Sequence, residues 1–342
     1  MKAVRVHEFG LDHPMKLDEV EDPRAEAGEI LIKVGAAGVN PHEIVIRAGK
    51  SHLGKLMTLP YIPGSEAAGE VVEVGPGVEG FEKGQRVCGR CVGSSYADEY
   101  IGGSYAEYVR LFSRWSLPLP DHYSYAEGAG ITVHFLTAWN ALVIKGKAAP
   151  GEIVLVQAGA GGVGSAAVQL ANSMGCRVLA TVSSKEKADF CRNLGADETI
   201  NYRTEDVAAR CLDLTDGRGV DLILELVAES NLGKDVEAVA VNGRIVVVGT
   251  GWMESLAGPG EFPTPVLSFR AQPAMRRDAH IICISGLNLA PEMPELVRRL
   301  TPLLEEGAFK VPVGREVPLG DANVAHELLL SGEVLGKVVL TP

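Results

Sequence analysis

The sequence lacks long apolar runs and lacks an excess of positive charge. No uncharged apolar run reaches about 18 residues, and residues 1–6 lead directly into a strand-like pattern, so we expect neither a membrane span nor a signal peptide. The chain has 32 Lys and Arg against 44 Asp and Glu, which gives a net charge of −12. This balance argues against a nucleic-acid or anionic-membrane partner, because both require clustered Lys and Arg.

The six cysteines do not form the grouping that a disulfide framework or a zinc site requires. They are scattered, several of them in apolar runs, which favours reduced thiols in a cytoplasmic protein. Cys88 and Cys91 form a C-x-x-C, but no second pair or histidine cluster follows at zinc-site spacing. We therefore expect no metal. We expect no redox role either, because the flanking residues resemble strand and loop rather than a helix start.

The 342 residues, 46% of them hydrophobic and 22% charged, are sufficient for two soluble domains. Residues 1–124 contain short strand candidates separated by glycine and proline turns, which predicts a mostly β, partly open barrel. From residue 125 onward, strands and helices alternate as in a doubly wound parallel sheet, so the fold class is α/β. Residues 251–277, rich in glycine and proline, interrupt the alternation. We expect the second domain to span 125–268 and the chain to return to the first over 269–342.

The clearest motif is a glycine-rich turn behind an apolar, β-branched run at residues 153–157. Residues 159–164 fit G-x-G-x-x-G, and a helical pattern follows them, which is the context that makes the motif informative. Gly159 permits the tight turn, Gly161 lets the backbone approach a pyrophosphate, and Gly164 lets helix and strand pack closely. Free N–H groups at the helix start attract the anion. We predict a Rossmann dinucleotide site; a ligand-free glycine turn is the alternative.

The residues after the next strand favour NADP(H) over NAD(H). An NAD site has Asp or Glu about twenty residues after the glycines, whereas this chain has residues 183–187, Ser-Ser-Lys-Glu-Lys. Small hydroxyls leave room for a 2′-phosphate, which Lys185 or Lys187 can neutralise. The alternative is that both lysines lie on an exposed helix start. Glu186, one residue into the helix, is a mild argument for NAD(H).

Further segments resemble the medium-chain dehydrogenase/reductase superfamily over nearly the whole chain. Besides the glycine turn, these segments are residues 38–41, 63–69, 201–203 and 336–340. Residues 225–235 are most similar to the zinc-free quinone oxidoreductases of the zeta-crystallin type. The resemblance implies a GroES-like catalytic domain beside the Rossmann domain. We expect a homodimer or homotetramer, since the apolar runs at 245–248 and 281–284 offer a sheet edge for a dimer.

The resemblance also implies that the protein binds no zinc. Zinc-dependent alcohol dehydrogenases of this superfamily carry Cys at the position of Asn40 and His at that of Ser65. Neither Asn nor Ser replaces the thiolate and imidazole ligands that zinc prefers. The four-cysteine lobe that binds a second zinc is missing as well, with only Cys88 and Cys91 near its place.

The resemblance implies where the cofactor binds. Asn40 and Thr137 match positions near the nicotinamide ribose, Tyr202 one near the 2′-phosphate, and Asn231 and residues 248–250 segments along the nicotinamide half. The full set of implied cofactor-binding residues is Asn40, Thr137, Gly159, Ala160, Gly161, Gly162, Val163, Ser183, Ser184, Lys187, Tyr202, Asn231, Val248, Gly249 and Thr250. Structural alternatives exist: Tyr202 as a sheet-edge aromatic, and Thr137 as a helix residue that bonds its own backbone.

Without a metal, the expected mechanism is direct hydride transfer from NADPH to an electron-poor acceptor in the interdomain cleft. A quinone suits it, because the reduced oxygens are stabilised anions that collect protons from water. Relatives of this branch carry tyrosine at the position of Val45 and another near Ser51, so the pocket wall here is less aromatic. His52, His42 and Tyr61 are weak candidates for a proton donor, each with a structural or solvent-facing alternative.

We therefore predict a zinc-independent NADPH:quinone oxidoreductase. One alternative is an NADPH-dependent reductase of α,β-unsaturated ketones or enoyl thioesters, which need a proton delivered to carbon. Another, from a different class, is a non-catalytic NADPH-binding structural or RNA-associated protein, against which the acidic composition argues.

Overall fold

The computed structural model describes residues 1–51, 54, 57–91, 103–250, 256, 266–285 and 292–342. Its strands are β1 (Lys2–Arg5), β2 (Lys16–Glu19), β3 (Glu29–Gly38), β4 (Glu66–Val74), β5 (Arg86–Cys91), β6 (Tyr108–Pro118), β7 (Ile153–Val156), β8 (Arg177–Val182), β9 (Glu198–Asn201), β10 (Val220–Glu225), β11 (Val239–Val247), β12 (His280–Cys283), β13 (Val313–Pro318) and β14 (Lys337–Thr341). Its α-helices are α1 (Pro41–Arg47), α2 (Tyr125–Gly128), α3 (Thr132–Trp139), α4 (Gly162–Ser173), α5 (Lys185–Asn193), α6 (Val207–Asp213), α7 (Ala228–Ala238), α8 (Ala271–Arg276), α9 (Met293–Glu305) and α10 (Ala322–Ser331). A π-helical segment, Asn140–Lys145, follows α3, and a 3-10 turn, Leu319–Asp321, precedes α10. Within these ranges, no helix combines the length and apolar character that a bilayer span requires.

The described residues divide into two compact units. The first comprises residues 1–133 and 292–342, and the second comprises residues 134–250, 256 and 266–285. The domain limits predicted after residues 124 and 268 differ from this division. The helix α2 packs against β3 and β4 of the first unit, and β12 pairs with β11 in the sheet of the second.

The first unit contains the predicted mostly β, partly open barrel. Its strand β3 has three antiparallel neighbours: β4 along most of its length, β6 at its start and β14 at its end. Because β5 joins β4 to β6, four strands close on one another, while β14 and β13 extend the sheet beyond β3. Apolar side chains that include Ile30, Ile32, Val71 and Leu111 form the core of this unit.

The second unit is a parallel sheet in the order β12-β11-β10-β7-β8-β9. The strand β7 comes first in sequence and lies between β10 and β8, so the chain builds the sheet outward from β7 in both directions. All four residues of β7 are buried, which explains its uncharged β-branched sequence. The predicted doubly wound α/β architecture is confirmed, and its topological switch point lies beside β7.

Candidate functional site

The carboxyl ends of the parallel strands in the second unit lie side by side. Val156, the last residue of β7, pairs with Ala180 of β8 and with Leu224 of β10. Glu225, the last residue of β10, pairs with Val247, the last of β11. The predicted cofactor-binding residues that follow these strands and β9 are Gly159, Ala160, Gly161, Gly162, Val163, Ser183, Ser184, Lys187, Tyr202, Val248, Gly249 and Thr250. They lie along one edge of the sheet, where proteins of this architecture bind ligands.

The glycine turn after β7 leads directly into α4, which is the strand–turn–helix order that the sequence predicts. Its backbone starts with Ala158 at φ 52°, and Gly161 is the N-cap of α4. A Cβ at Gly164 would overlap the carbonyl group of Ala158, so only glycine allows the helix to approach the strand this closely. At Gly161, by contrast, the nearest atom to an added Cβ would be the Ala158 oxygen at 3.4 Å. The backbone of Gly161 is therefore open on that side, and the unpaired N–H groups of the helix start favour an anion there.

A histidine that the sequence analysis missed lies beneath this turn. His134 of α3 is 8% exposed, and its imidazole occupies the space that a side chain at Gly162 would fill. A lone histidine in an apolar helix carries no motif. The available signal was Gly162 itself, because it occupies a position where G-x-G-x-x-G accepts any residue.

The segment after β8 supports one of the two candidate lysines over the other. Ser184 is the N-cap of α5, and its hydroxyl accepts a hydrogen bond from the backbone N–H of Lys187 at 3.2 Å. Lys187 is half-buried, whereas Lys185 and Glu186 are exposed. Tyr202 follows the adjacent strand β9 and is 51% exposed. Of the two candidate lysines, Lys187 is therefore the less exposed.

Three predicted cofactor residues do not follow a strand of the second unit. Thr137 lies half-buried in α3, one helical turn from His134, and Asn231 lies half-buried in α7. Asn40 belongs to the first unit, where it is the N-cap of α1 and only 1% exposed.

In the first unit, Asn40 belongs to a buried network of charged and polar side chains. The ammonium group of Lys337 donates to Asn40 Oδ1 at 2.7 Å and to Glu66 Oε1 at 2.6 Å. The Asn40 amide donates to Ser65 Oγ at 3.1 Å, and the Ser65 hydroxyl donates to Glu43 Oε1 at 2.6 Å. All five side chains are buried. We call these five residues and the three described next the buried network.

The buried network continues through an aromatic residue to a histidine and an arginine. The Tyr105 hydroxyl donates to Glu43 Oε2 at 2.7 Å and lies 3.1 Å from His326 Nε2. Arg47 donates to His326 Nδ1 at 3.3 Å, so the ring proton belongs on Nε2. Burial, with the nearby Arg47 charge, lowers the pKa of His326 to about 3, so this ring is neutral. Formally, two cations then balance the two carboxylates of the network.

Comparisons with known proteins agree with this architecture. Residues 26–121 match the family model described as alcohol dehydrogenase GroES-like domain, and residues 162–301 match the one described as zinc-binding dehydrogenase. The quinone oxidoreductase of Rattus norvegicus is 33% identical over 99% of this chain and 97% of its own length, and that of Homo sapiens is 32% identical over the same shares. The chain belongs to the medium-chain dehydrogenase/reductase superfamily, in its quinone oxidoreductase branch. As predicted, it is an oxidoreductase.

Solved structures of this superfamily share the fold over their full length. The quinone oxidoreductase of Thermus thermophilus, solved alone and in complex with NADPH, is 31% identical with a TM-score of 0.81. The Escherichia coli quinone oxidoreductase in complex with NADPH is 26% identical with a TM-score of 0.84. Both comparisons cover 100% of this chain and 100% of the other chain.

Zinc, which one family description mentions, does not fit the residues that this member of the superfamily has at Asn40 and Ser65. Their amide and hydroxyl groups are hydrogen-bonded to carboxylates and to each other, and they supply neither thiolate nor imidazole. In the part of the chain that the structure describes, no group of three or more His, Cys, Asp or Glu residues is arranged to hold a metal ion. Cys88 and Cys91 are buried in β5, and burial raises the pKa of both thiols.

Two of the three candidate proton donors, His42 and Tyr61, belong to the described residues. His52 lies outside the described residues. Tyr61 is buried beside Phe9, with ring centroids 6.1 Å apart, and burial raises its pKa, which makes it a weaker acid than a free tyrosine. Burial lowers the pKa of His42, so this ring is neutral at pH 7.

Replacing Lys337 with methionine tests the buried network. We expect Lys337→Met to lower the free energy of unfolding by about 3–5 kcal/mol, because Glu66 would keep a buried charge without its cation. The double variant Lys337→Met/Glu66→Gln should recover most of that loss, and Lys185→Met on an exposed helix start should change little. Urea denaturation measures all three. Equal stability of Lys337→Met and wild type would contradict the ion pair.

Adding a methyl group at Gly162 tests the position of His134. The new Cβ would overlap the imidazole ring, and we expect Gly162→Ala to lower the free energy of unfolding by about 1–2 kcal/mol, after allowance for the better helix propensity of alanine. In a His134→Ala background the same change should instead be neutral or stabilising. Urea denaturation of wild type, the two single variants and the double variant gives the coupling free energy between positions 162 and 134. Strictly additive effects of the two changes would show that the imidazole ring lies elsewhere.

Proposed function

We propose that the protein is an NADPH-dependent quinone oxidoreductase that works without a metal. The proposal rests on the order of two segments along the sheet edge of the second unit. The strands β7 and β8 are hydrogen-bonded neighbours. The glycine turn follows β7, and the segment with Ser183, Ser184 and Lys187 follows β8. The turn suits a pyrophosphate, and the second segment offers hydroxyls and a cation where an NAD site has a carboxylate. The NADPH complexes of two related quinone oxidoreductases support the same choice.

When bound, NADPH supplies a hydride from its nicotinamide ring. The chain's own part is to bind the phosphates at the start of α4 and α5 and to hold the acceptor without consuming protein protons. A quinone needs no strong acid, because its reduced oxygens take protons from water. The acid–base state of the described candidates is consistent with this, since Tyr61 is a weakened acid and His42 is neutral.

The alternative of an enone or enoyl thioester reductase keeps some support from Val45. This residue is 8% exposed and stands where quinone-reducing relatives carry a tyrosine. A reductase of carbon–carbon double bonds must place a proton on carbon, and such an enzyme gains from a positioned acid.

A steady-state assay of NADPH oxidation separates these functions. We expect kcat/KM to be at least tenfold higher for a panel of para- and ortho-quinones than for a panel of enones and enoyl thioesters, before and after EDTA treatment. A tenfold preference for the second panel would replace the proposed substrate with the alternative. Tight NADPH binding with no turnover of either panel would refute both.

The Lys187→Glu variant tests the choice of cofactor. It removes a partner of the 2′-phosphate and adds a like charge, so we expect the Kd of NADPH to rise at least tenfold, about 1.4 kcal/mol, and that of NADH to stay nearly unchanged. Lys185→Glu, on the exposed face of the same helix turn, is the matched control and should affect both cofactors little. Fluorescence titration measures the six dissociation constants, two each for wild type and the two variants. An equal loss for NADPH and NADH would remove Lys187 from the phosphate site.

A further inference from the structure

A chain of buried polar side chains runs beneath the carboxyl ends of the central strands in the second unit. The Thr181 hydroxyl, near the end of β8, donates to Gln157 Oε1 at 2.7 Å, and Gln157 Nε2, just after β7, donates to Asp235 Oδ1 of α7 at 2.9 Å. Asp235 faces Glu225, the last residue of β10. All four side chains are at most 3% exposed. The proposed cofactor site and its mechanism, as described so far, use none of them.

This hydrogen-bonded series of side chains includes two buried carboxyl groups, Glu225 and Asp235, and their surroundings tolerate only one negative charge between them. Glu225 Oε2 and Asp235 Oδ2 are buried, and neither receives a hydrogen bond from a donor. Ionised carboxylates only accept hydrogen bonds, so two of them facing each other leave both oxygens without a partner. One proton between them creates an O–H···O bond and removes one buried charge. Burial and the neighbouring Asp235 raise the pKa of Glu225 to about 10, so the proton belongs to Glu225.

The two ends of this chain are the two backbone segments that a dinucleotide would contact. At one end, the Thr181 hydroxyl accepts a hydrogen bond at 3.0 Å from the N–H of Ala158, whose φ of 52° starts the glycine turn. At the other end, the Glu225 carboxyl group accepts a hydrogen bond from the N–H of Val227, the N-cap of α7, and the Asn231 side chain on that helix is near enough to lower the pKa of Glu225. Asn231 is one of the residues proposed for the nicotinamide half of the cofactor.

The groups around Glu225 and Asp235 explain why a proton, and not the cation of another side chain, compensates the second negative charge. On α7, Lys234 is exposed and acts on Asp235 only at a distance. The helix α6 contributes Cys211, whose thiol is neutral because burial raises its pKa to about 12. The strands β7 and β8 contribute the uncharged Gln157 and Thr181.

We propose that the single proton shared by Glu225 and Asp235 is a positioning element of the cofactor site. It joins the hydrogen bonds into one continuous series from the glycine turn to the Val227 N–H at the start of α7, the helix that carries Asn231, and so fixes these two segments at the separation that NADPH requires. Loss of the proton sets two buried carboxylates against each other, which breaks the chain at its centre. The proposal rests on the proposed function only for the identity of its ligand, NADPH.

The first measurement detects the proton without any cofactor. Burial raises the pKa of Asp235 to about 6 and that of Glu225 to about 10, so between these two pH values the pair holds one more proton in the folded protein than in the unfolded chain. The contribution of the pair to the free energy of unfolding therefore falls as pH rises through this range. Urea denaturation from pH 5.5 to 9.5 should show a steeper decline for wild type than for Glu225→Gln, whose amide donates the same hydrogen bond without titrating. The control Glu237→Gln, on the exposed side of α7, should keep the wild-type slope.

The second measurement tests positioning. We expect the Kd of NADPH to rise more steeply for wild type than for Glu225→Gln as pH passes about 10, because titration elsewhere in the site affects both proteins alike. Glu237→Gln again serves as the control. Thr181→Val should raise the Kd about tenfold at pH 7.5, and Thr181→Ser, which keeps the hydroxyl group, should restore it.

The outcomes are distinguishable. A wild-type protein that binds no NADPH refutes the proposed function, while the stability measurement still detects or refutes the shared proton. If NADPH binds but Glu225→Gln follows the wild-type pH profile, or if Thr181→Val binds as tightly as wild type, the positioning role is overturned. Should Glu225→Gln fail to fold, the pH profile of wild type and the Thr181 pair of variants decide the question.

Discussion

The first unit depends on one buried ion pair. Lys337 and Glu66 lie 271 residues apart in sequence, and their side chains meet at 2.6 Å with exposures of 2% and 0%. Burying either charge alone is strongly unfavourable, so the pair holds together the two strands that carry it, β14 and β4, each of which pairs with β3. The other Glu66 oxygen accepts hydrogen bonds from the Thr132 hydroxyl at 2.8 Å and the Val133 N–H at 2.7 Å, which fixes the start of α3. One carboxylate thus joins three separate parts of the chain.

Much of the second unit was predictable because its signals are local. The uncharged β7 run, the glycines and the small residues after β8 stand within about thirty residues, and the parallel pairing of β7 with β8 follows from the alternation of strands and helices. The domain limit after residue 268 was predicted from composition instead, where glycine and proline interrupt the alternation. β12 nevertheless pairs in parallel with β11, from Arg244 with His280 to Val247 with Cys283. The interruption of the strand–helix alternation therefore does not mark a change from one sheet to the other, because β12 beyond it still belongs to the parallel sheet.

The buried network could not be predicted, because its members are dispersed and each has a common structural alternative. Tyr105 and His326 are 221 residues apart and meet only when the barrel is assembled. The helix α1, by contrast, had a readable signal that was not used: Asn40, Pro41 and Glu43 form an N-cap, a first-turn proline and a capping-box acid. The Glu43 carboxylate does accept the Asn40 N–H at 2.9 Å. Asn40, which the sequence analysis considered as a possible zinc-ligand position, is thus also the N-cap of α1.

Each unit buries a pair of carboxylic acids near a residue proposed to bind the cofactor, Asn40 in the first and Asn231 in the second, and the two units neutralise these acids in different ways. In the first unit, Lys337 and Arg47 bring fixed charges from distant segments, and the geometry depends on correct closure of the barrel. In the second unit, Lys234, which is exposed, is the one cation among the described residues that acts on Glu225 and Asp235, so the compensating charge comes from solvent as a proton. A proton adds no side chain to the core and requires no further strand. This suits the phosphate site proposed at this sheet edge, because the supporting side chains are buried and leave the backbone N–H groups of the glycine turn open.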